Sequence, residues 1–172
     1  MKLIVPLILV CFTLFSLPAD AATPAEVAIG GVLRDANMTG LSGPGRKLSE
    51  YRGKPLIINV WASWCGPCRQ EMGSLERLSR HFAGQQLTVI GISTDDYPEN
   101  AKAFLRVAGT SFTHYIDRDL ILENMLGANR LPLTLLVDAK GRVLDKIYGA
   151  TAWDSPEMIE AVRQIFGLRR TN

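Results

Sequence analysis

Between residues 56 and 93 the chain carries two apolar runs rich in branched side chains, LIINVWA and LTVIGIS. Runs of that length and composition predict strands buried on both faces. Between them Met72, Leu75, Leu78 and Phe82 recur at helical spacing and Gly84 follows as a stop signal, which predicts one amphipathic helix of about four turns. Ala101, Phe104, Leu105 and Ala108 mark a second helix closed by Gly109. Strand, helix, strand, helix implies parallel strands joined by right-handed crossovers. Further on, FTHYI reads as a short strand, LILENML as a short helix, and LPLTLLVDAKGRVLDKIYG as two strands about a Lys140-Gly141 turn. SPEMIEAVRQIF closes the chain as a helix with Ser155 as N-cap and Pro156 in the first turn. The sum is an α/β chain with a mixed central sheet flanked by helices. Residues 22–47 are patterned weakly, with glycines breaking short apolar pieces, and read as an N-terminal extension carrying one short hairpin.

Composition narrows this little. With 172 residues, 47% of them hydrophobic and 21% charged, the chain suits one domain with a sizeable core. The net charge of +2 arises from 19 basic and 17 acidic residues scattered along the chain, so no nucleic-acid footprint stands out. The first residues change the picture more. Lys2 precedes an uncharged apolar run from Leu3 to Leu17, followed by Ala19-Asp20-Ala21 as a small-x-small cleavage site. Residues 1–21 therefore read as a secretory signal peptide. The rival is an uncleaved anchor, disfavoured because the run is shorter than the roughly 20 residues of a spanning helix and is interrupted by Pro6. Cys11 belongs to the apolar run, since Val10 before it does not fit a lipidation signal. Export leaves Cys65 and Cys68 in a compartment where disulfides persist.

The pair stands where a strand has ended and a helix begins, in NVWASWCGPCRQEMGS. A helix N-terminus presents unpaired N–H groups and the positive end of its dipole, which lowers a thiol pKa from about 8.5 into the range of roughly 3.5 to 7.5. The thiolate is the attacking species in disulfide exchange, so Cys65 is the expected nucleophile, with Arg69 one turn on adding positive charge. Cys68, inside the first turn, is the expected resolving thiol. A zinc site lacks its ligands, because the only histidines are His81 and His114 and no second cysteine pair follows. A structural staple gains little from closing so short a loop.

The WCGPC motif after LIINVWAS resembles the thioredoxin active site. The fuller run NVWASWCGPCRQEM, with GISTDD on the next strand and LPLTLLVDAKGRV later, is most similar to the exported TlpA/ResA-like thioredoxin-fold reductases. The resemblance spans roughly residues 48–166 and implies a thioredoxin-like domain over 48–172. It further implies that Pro132 is a cis-proline beside the cysteines, presenting the backbone of Leu131 to a partner, with Trp64, Gly66 and Pro67 completing the partner surface. Asn59 stands where thioredoxin has a proton-handling aspartate, and an amide does not titrate. Glu71, three residues after Cys68, matches a glutamate of TlpA/ResA-like proteins and is a candidate to take the Cys68 proton. The competing reading is a surface glutamate favoured by the helix dipole. Gly73 replaces the proline that kinks this helix in thioredoxin-like chains and permits bending without forcing it.

GPGRKLS lacks the order of a phosphate loop, and Asn37-Met38-Thr39 matters only as a glycosylation acceptor in a eukaryotic pathway. His81 and His114 read as ordinary exposed or half-buried histidines, Trp61 and Trp64 as packing and partner contact, and Trp153 receives no role. The expectation is an extracytoplasmic, periplasmic thiol-disulfide oxidoreductase, monomeric, without cofactor or metal, acting on disulfide-containing protein substrates. Gly66-Pro67 matches thioredoxin, whose potential is about −270 mV, so reduction is the expected direction, fed by a membrane thiol-electron transporter that the resemblance implies. Three alternatives stand beside it. A disulfide-forming oxidase would use the same cysteines at a potential nearer −120 mV. A peroxiredoxin-like peroxidase resembles one needing threonine where this chain has Ala62, and a metal-binding or copper-delivery module needs soft ligands that are scarce here.

Overall fold

The computed structural model describes residues 26–84 and 87–169; the signal-peptide or anchor reading of residues 1–21 lies outside them. Seven strands form one sheet: β1 (Asn37–Gly40), β2 (Arg46–Lys47), β3 (Leu56–Trp61), β4 (Thr88–Ser93), β5 (Thr113–Ile116), β6 (Leu133–Val137) and β7 (Val143–Tyr148). Their spatial order is β2-β1-β5-β4-β3-β6-β7. β3, β4 and β5 run parallel, and β1, β6 and β7 are added antiparallel at the two sides, which makes the sheet mixed. The helices are α1 (Gly66–His81), α2 (Pro98–Ala108), α3 (Ile121–Leu126) and α4 (Pro156–Phe166). Among the described residues no helix is long and apolar enough to cross a membrane.

The two-residue period of β3 divides the core. Leu56, Ile58 and Val60 pack with Ile90, Ile92 and the α3 residues Leu122, Met125 and Leu126, whereas Ile57 and Trp61 pack with α1, α4 and Ala101 of α2. Asn59 shares parity with Ile57 and Trp61, so its side chain is delivered to the α1 face. Six buried residues in a row on β3 explain why this central strand reads as an unbroken apolar run.

The described part of residues 22–47 pairs with the sheet and enters the core. β1 and β2 form the expected hairpin, and β1 also pairs with β5 through Thr39 to Ile116 and Gly40 to Tyr115. Leu33 and Met38 enter the core, and the Glu26 carboxylate meets Lys146 of β7 at 2.6 Å. Gly127, at φ +79°, leaves room for that carboxylate; a Cβ there would meet Glu26 Oε1 at 2.0 Å.

α1 ends at His81 with Phe82 as its C-cap; the Phe82 N–H still donates to the Leu78 carbonyl at 3.1 Å, and Gly84 follows at φ +86°. One local expectation is corrected: His114 is fully buried on β5 rather than exposed or half-buried, its ring lies against Phe112 and Trp61, and burial holds its pKa down at about 4. Gly91 on β4 makes room for it, since a Cβ there would meet His114 Nδ1 at 2.2 Å and Trp61 Nε1 at 2.9 Å.

Candidate active site

β3 ends at Trp61 and the chain turns through Ala62, Ser63 and Trp64 into α1, for which Cys65 is the N-cap. The turn is held from the end of β4. The buried Asp95 accepts from the Ser63 N–H at 2.9 Å, from Ser63 Oγ at 2.6 Å and from Ser93 Oγ at 2.7 Å. Cys65 Sγ accepts the Cys68 backbone N–H at 3.2 Å, the bond that an N-cap side chain makes to an otherwise unpaired donor. Pro67 lies within the first turn, where its missing N–H costs nothing.

Cys65 and Cys68 are joined by a disulfide, so the structure is that of the oxidised protein. Cys68 is completely buried and Cys65 is 6% exposed. The Cys65 sulfur is thus the one that an incoming thiolate meets. Arg69 does not lie over it; its guanidinium sits on the Phe104 ring at 5.5 Å.

Trp64, Cys65, Gly66, Pro67 and Leu131 line one cleft of about 540 Å³, together with Thr94, Asp96, Leu120, Glu123 and other residues. Trp64 stands at its side, 70% exposed. The Leu131–Pro132 peptide is cis, and Pro132 is buried behind Leu131 at the start of β6. No group of His, Cys, Asp and Glu suited to a metal ion occurs among the described residues.

Glu71 does not open onto that cleft. It lies on α1 three residues after Cys68, 2% exposed, with three donors on its carboxylate: Asn59 Nδ2 to Oε1 at 2.8 Å, and the Thr151 N–H and Trp153 Nε1–H to Oε2, each at 3.0 Å. Burial pushes its carboxyl above the usual glutamate range, and the hydrogen bonds from Trp153, Asn59 and Thr151 pull it back in part. It lines a second cleft, of about 340 Å³, with Gln70, Ser74, Arg77, Thr151, Asp154 and others, and the two clefts share no residue.

Trp153, Thr151 and Asp95 escape sequence reasoning. Trp153 lies 82 positions from Glu71 and no periodicity links the loop after β7 to the second turn of α1. The only available signal was a bulky indole in a polar stretch ahead of a capped helix, since a buried tryptophan N–H needs an acceptor. Asp95 lies in GISTDD, a stretch read for resemblance rather than for its hydrogen bonds.

Comparison with known proteins agrees with this geometry. The AhpC/TSA family model matches residues 29–146, well over half of the chain. Thiol-disulfide oxidoreductase ResA of Geobacillus thermodenitrificans is 28% identical over 165 residues, 95% of each chain. ResA of Geobacillus kaustophilus is 30% identical over 138 residues, 80% of this chain and 79% of that one. Among solved structures, a Chlorobium tepidum chain assigned as thiol:disulfide interchange protein DsbE superposes with a TM-score of 0.72 at 26% identity, covering 81% of this chain and 96% of its own. A thioredoxin-like sheet, a disulfide at the N-terminus of its first helix and these relatives agree: the chain belongs to the AhpC/TSA family and is a thioredoxin-fold thiol-disulfide oxidoreductase similar to ResA.

Proposed function

We propose that this oxidoreductase works outside the cytoplasm, in a bacterial periplasm, as a monomer that reduces disulfides in partner proteins. The observation that carries the reading is the asymmetry of the cysteine pair: Cys65 opens on the cleft at the helix N-terminus, while Cys68 is sealed behind it one turn from a buried carboxyl. In the reduced protein Cys65 is the thiolate. It attacks one sulfur of the partner's disulfide, forming the Cys65–partner bond and releasing the other partner sulfur as a thiolate that takes a proton. Cys68 then loses its proton to Glu71 and attacks Cys65 Sγ. The mixed disulfide breaks, the second partner sulfur leaves as a thiolate that is protonated in turn, and the Cys65–Cys68 disulfide remains. Two electrons have moved to the partner, whose two thiolates take one proton that Glu71 gives up, returning to carboxylate, and one from solvent. Trp64, Gly66, Pro67 and the backbone at Leu131, held by Pro132, form the surface on which the partner's chain lies. A membrane thiol-electron transporter is the reductant this cycle calls for, since an exported dithiol needs a supply of electrons.

The test is the reduction potential together with two activity assays. A potential near that of thioredoxin, about −270 mV, with reduction of insulin disulfides supports the reading. A potential near −120 mV, with oxidative refolding of a reduced substrate and no insulin reduction, overturns its direction. Trapping with Cys68→Ala stops the cycle at the mixed disulfide and captures the partner covalently.

A further inference from the structure

The two oxygens of the Glu71 carboxyl face different chemistry. Oε2 receives the Thr151 N–H and the Trp153 indole N–H, and neither of these groups can ever accept a hydrogen bond. A proton on Oε2 would point at a donor. Oε1 faces Asn59, whose amide carries a donor at one end and an acceptor at the other. In the oxidised structure Nδ2 of Asn59 serves both Glu71 Oε1 at 2.8 Å and Thr134 Oγ1 at 2.9 Å, while the buried Oδ1 has no partner. Turning the amide over exchanges these ends. Oδ1 then accepts from a protonated Oε1 and from the Thr134 hydroxyl, itself both donor and acceptor.

We propose that Glu71 carries its proton on Oε1 alone, that Trp153 is the positioning residue that reserves Oε2, and that the Asn59 amide turns over as the proton arrives and leaves. The proposal rests on Glu71 being the proton carrier for Cys68. The loop that supplies Trp153 is itself fixed to α1: Ser74 Oγ accepts the Trp153 N–H at 3.2 Å, and its one proton is shared between the Glu71 carbonyl oxygen at 2.8 Å and the Thr151 carbonyl oxygen at 3.1 Å. The Glu71 carboxylate is therefore held by β3 through Asn59, which Thr134 of β6 contacts in turn, and by the post-β7 loop through Thr151 and Trp153, while Ser74 of α1 anchors that loop. The charges in the same cleft, Arg77 and Asp154, pair with each other at 2.6 Å. The Glu71 carboxyl is held up by burial and lowered by hydrogen bonds, with no ion pair among the causes. Asn59 is thus the element that lets a buried carboxyl change charge while each of its oxygens keeps a suitable partner.

The experiment is an NMR titration of the oxidised full chain, in which the cysteines do not titrate. It follows the Glu71 carboxyl carbon, the Trp153 indole N–H and the Asn59 side-chain amide. In the unaltered protein all three respond with one midpoint, and the amide protons change partner across it. Trp153→Phe keeps most of the packing and removes the donor, so the Glu71 midpoint rises by about one pH unit, in line with the strength of a hydrogen bond to a charge. Asn59→Ala moves it by less, because the amide serves both forms. An indole or amide signal that ignores the Glu71 titration in the unaltered protein overturns the proposal, as does a midpoint unmoved by Trp153→Phe. Glu71→Gln separates the underlying reading: if the pH profile of insulin reduction is unchanged in that variant while the Glu71 midpoint of the unaltered protein still follows Trp153, the carrier role falls and the clamp stands.

Discussion

Glu71 is the position at which sequence and structure contribute different halves of one argument. Its spacing from Cys68 placed it on the helix face of the resolving thiol, but spacing alone favoured an exposed glutamate. Burial and three donors remove the exposed reading, and those donors come from residues 59, 151 and 153, which no local pattern connects. The stability consequence follows from its raised carboxyl. Between the ordinary value of 4.5 and the higher folded value, the folded state binds more protons than the unfolded state, so stability falls as pH rises through that window. A glutamine at this position has no charge to bury, and its side-chain oxygen still accepts from Trp153 and Thr151. Glu71→Gln should therefore melt at a higher temperature than the unaltered protein at pH 7, and the advantage should vanish below about pH 4.5, where both states of the unaltered protein are protonated. Thermal melts at the two pH values check this, and equal melting temperatures at pH 7 would contradict it.

The strands and helices were legible because their periods are strong: β3 and β4 are nearly all buried, and α2 and α4 carry glycines in left-handed conformation at their C-caps, Gly109 and Gly167. What was not legible is how neighbouring elements share space. Gly91 reads as one small residue within β4, yet it is where the His114 and Trp61 rings approach the sheet. A methyl group there has no room, because the ring atoms lie at 2.2 and 2.9 Å from the Cβ position and both rings are buried. Gly91→Ala should cost about 1–3 kcal/mol, the range for forcing extra volume into a packed core. Urea midpoints measure it, and an unchanged midpoint would show that His114 can swing clear. The same crowding explains why His114 was misjudged: an exposed or half-buried place was inferred from residue type, whereas the Trp61 and Phe112 rings pack against the imidazole.

The chain as assembled also revises what its first described residues contribute. Glycine-broken patterning suggested an N-terminal extension with one short hairpin; its pairing with β5 is not visible in periodicity, because the strands are only two and four residues long. Leu33 and Met38 are 4% and 2% exposed, and the Val27 N–H donates to the Met125 carbonyl at 2.9 Å. A chain beginning at Leu48 loses these two core side chains, each worth about 2–5 kcal/mol by analogy with large-to-small core substitutions, and leaves the edge of β5 open. It should unfold at markedly lower urea or fail to fold cooperatively; a midpoint matching that of the full chain would refute this.

The two separate clefts also bear on the order of events during a turnover. A partner docked as proposed, over Trp64 and Leu131, would cover the cleft that Cys65 lines. Glu71 borders the other opening, which shares no lining residue with the first, and no docked chain at the front needs to touch it. Under the proposed cycle, with Glu71 carrying the Cys68 proton and the partner docked over Trp64 and Leu131, proton traffic and protein traffic would use different doors, and release of product would not have to precede the return of the proton.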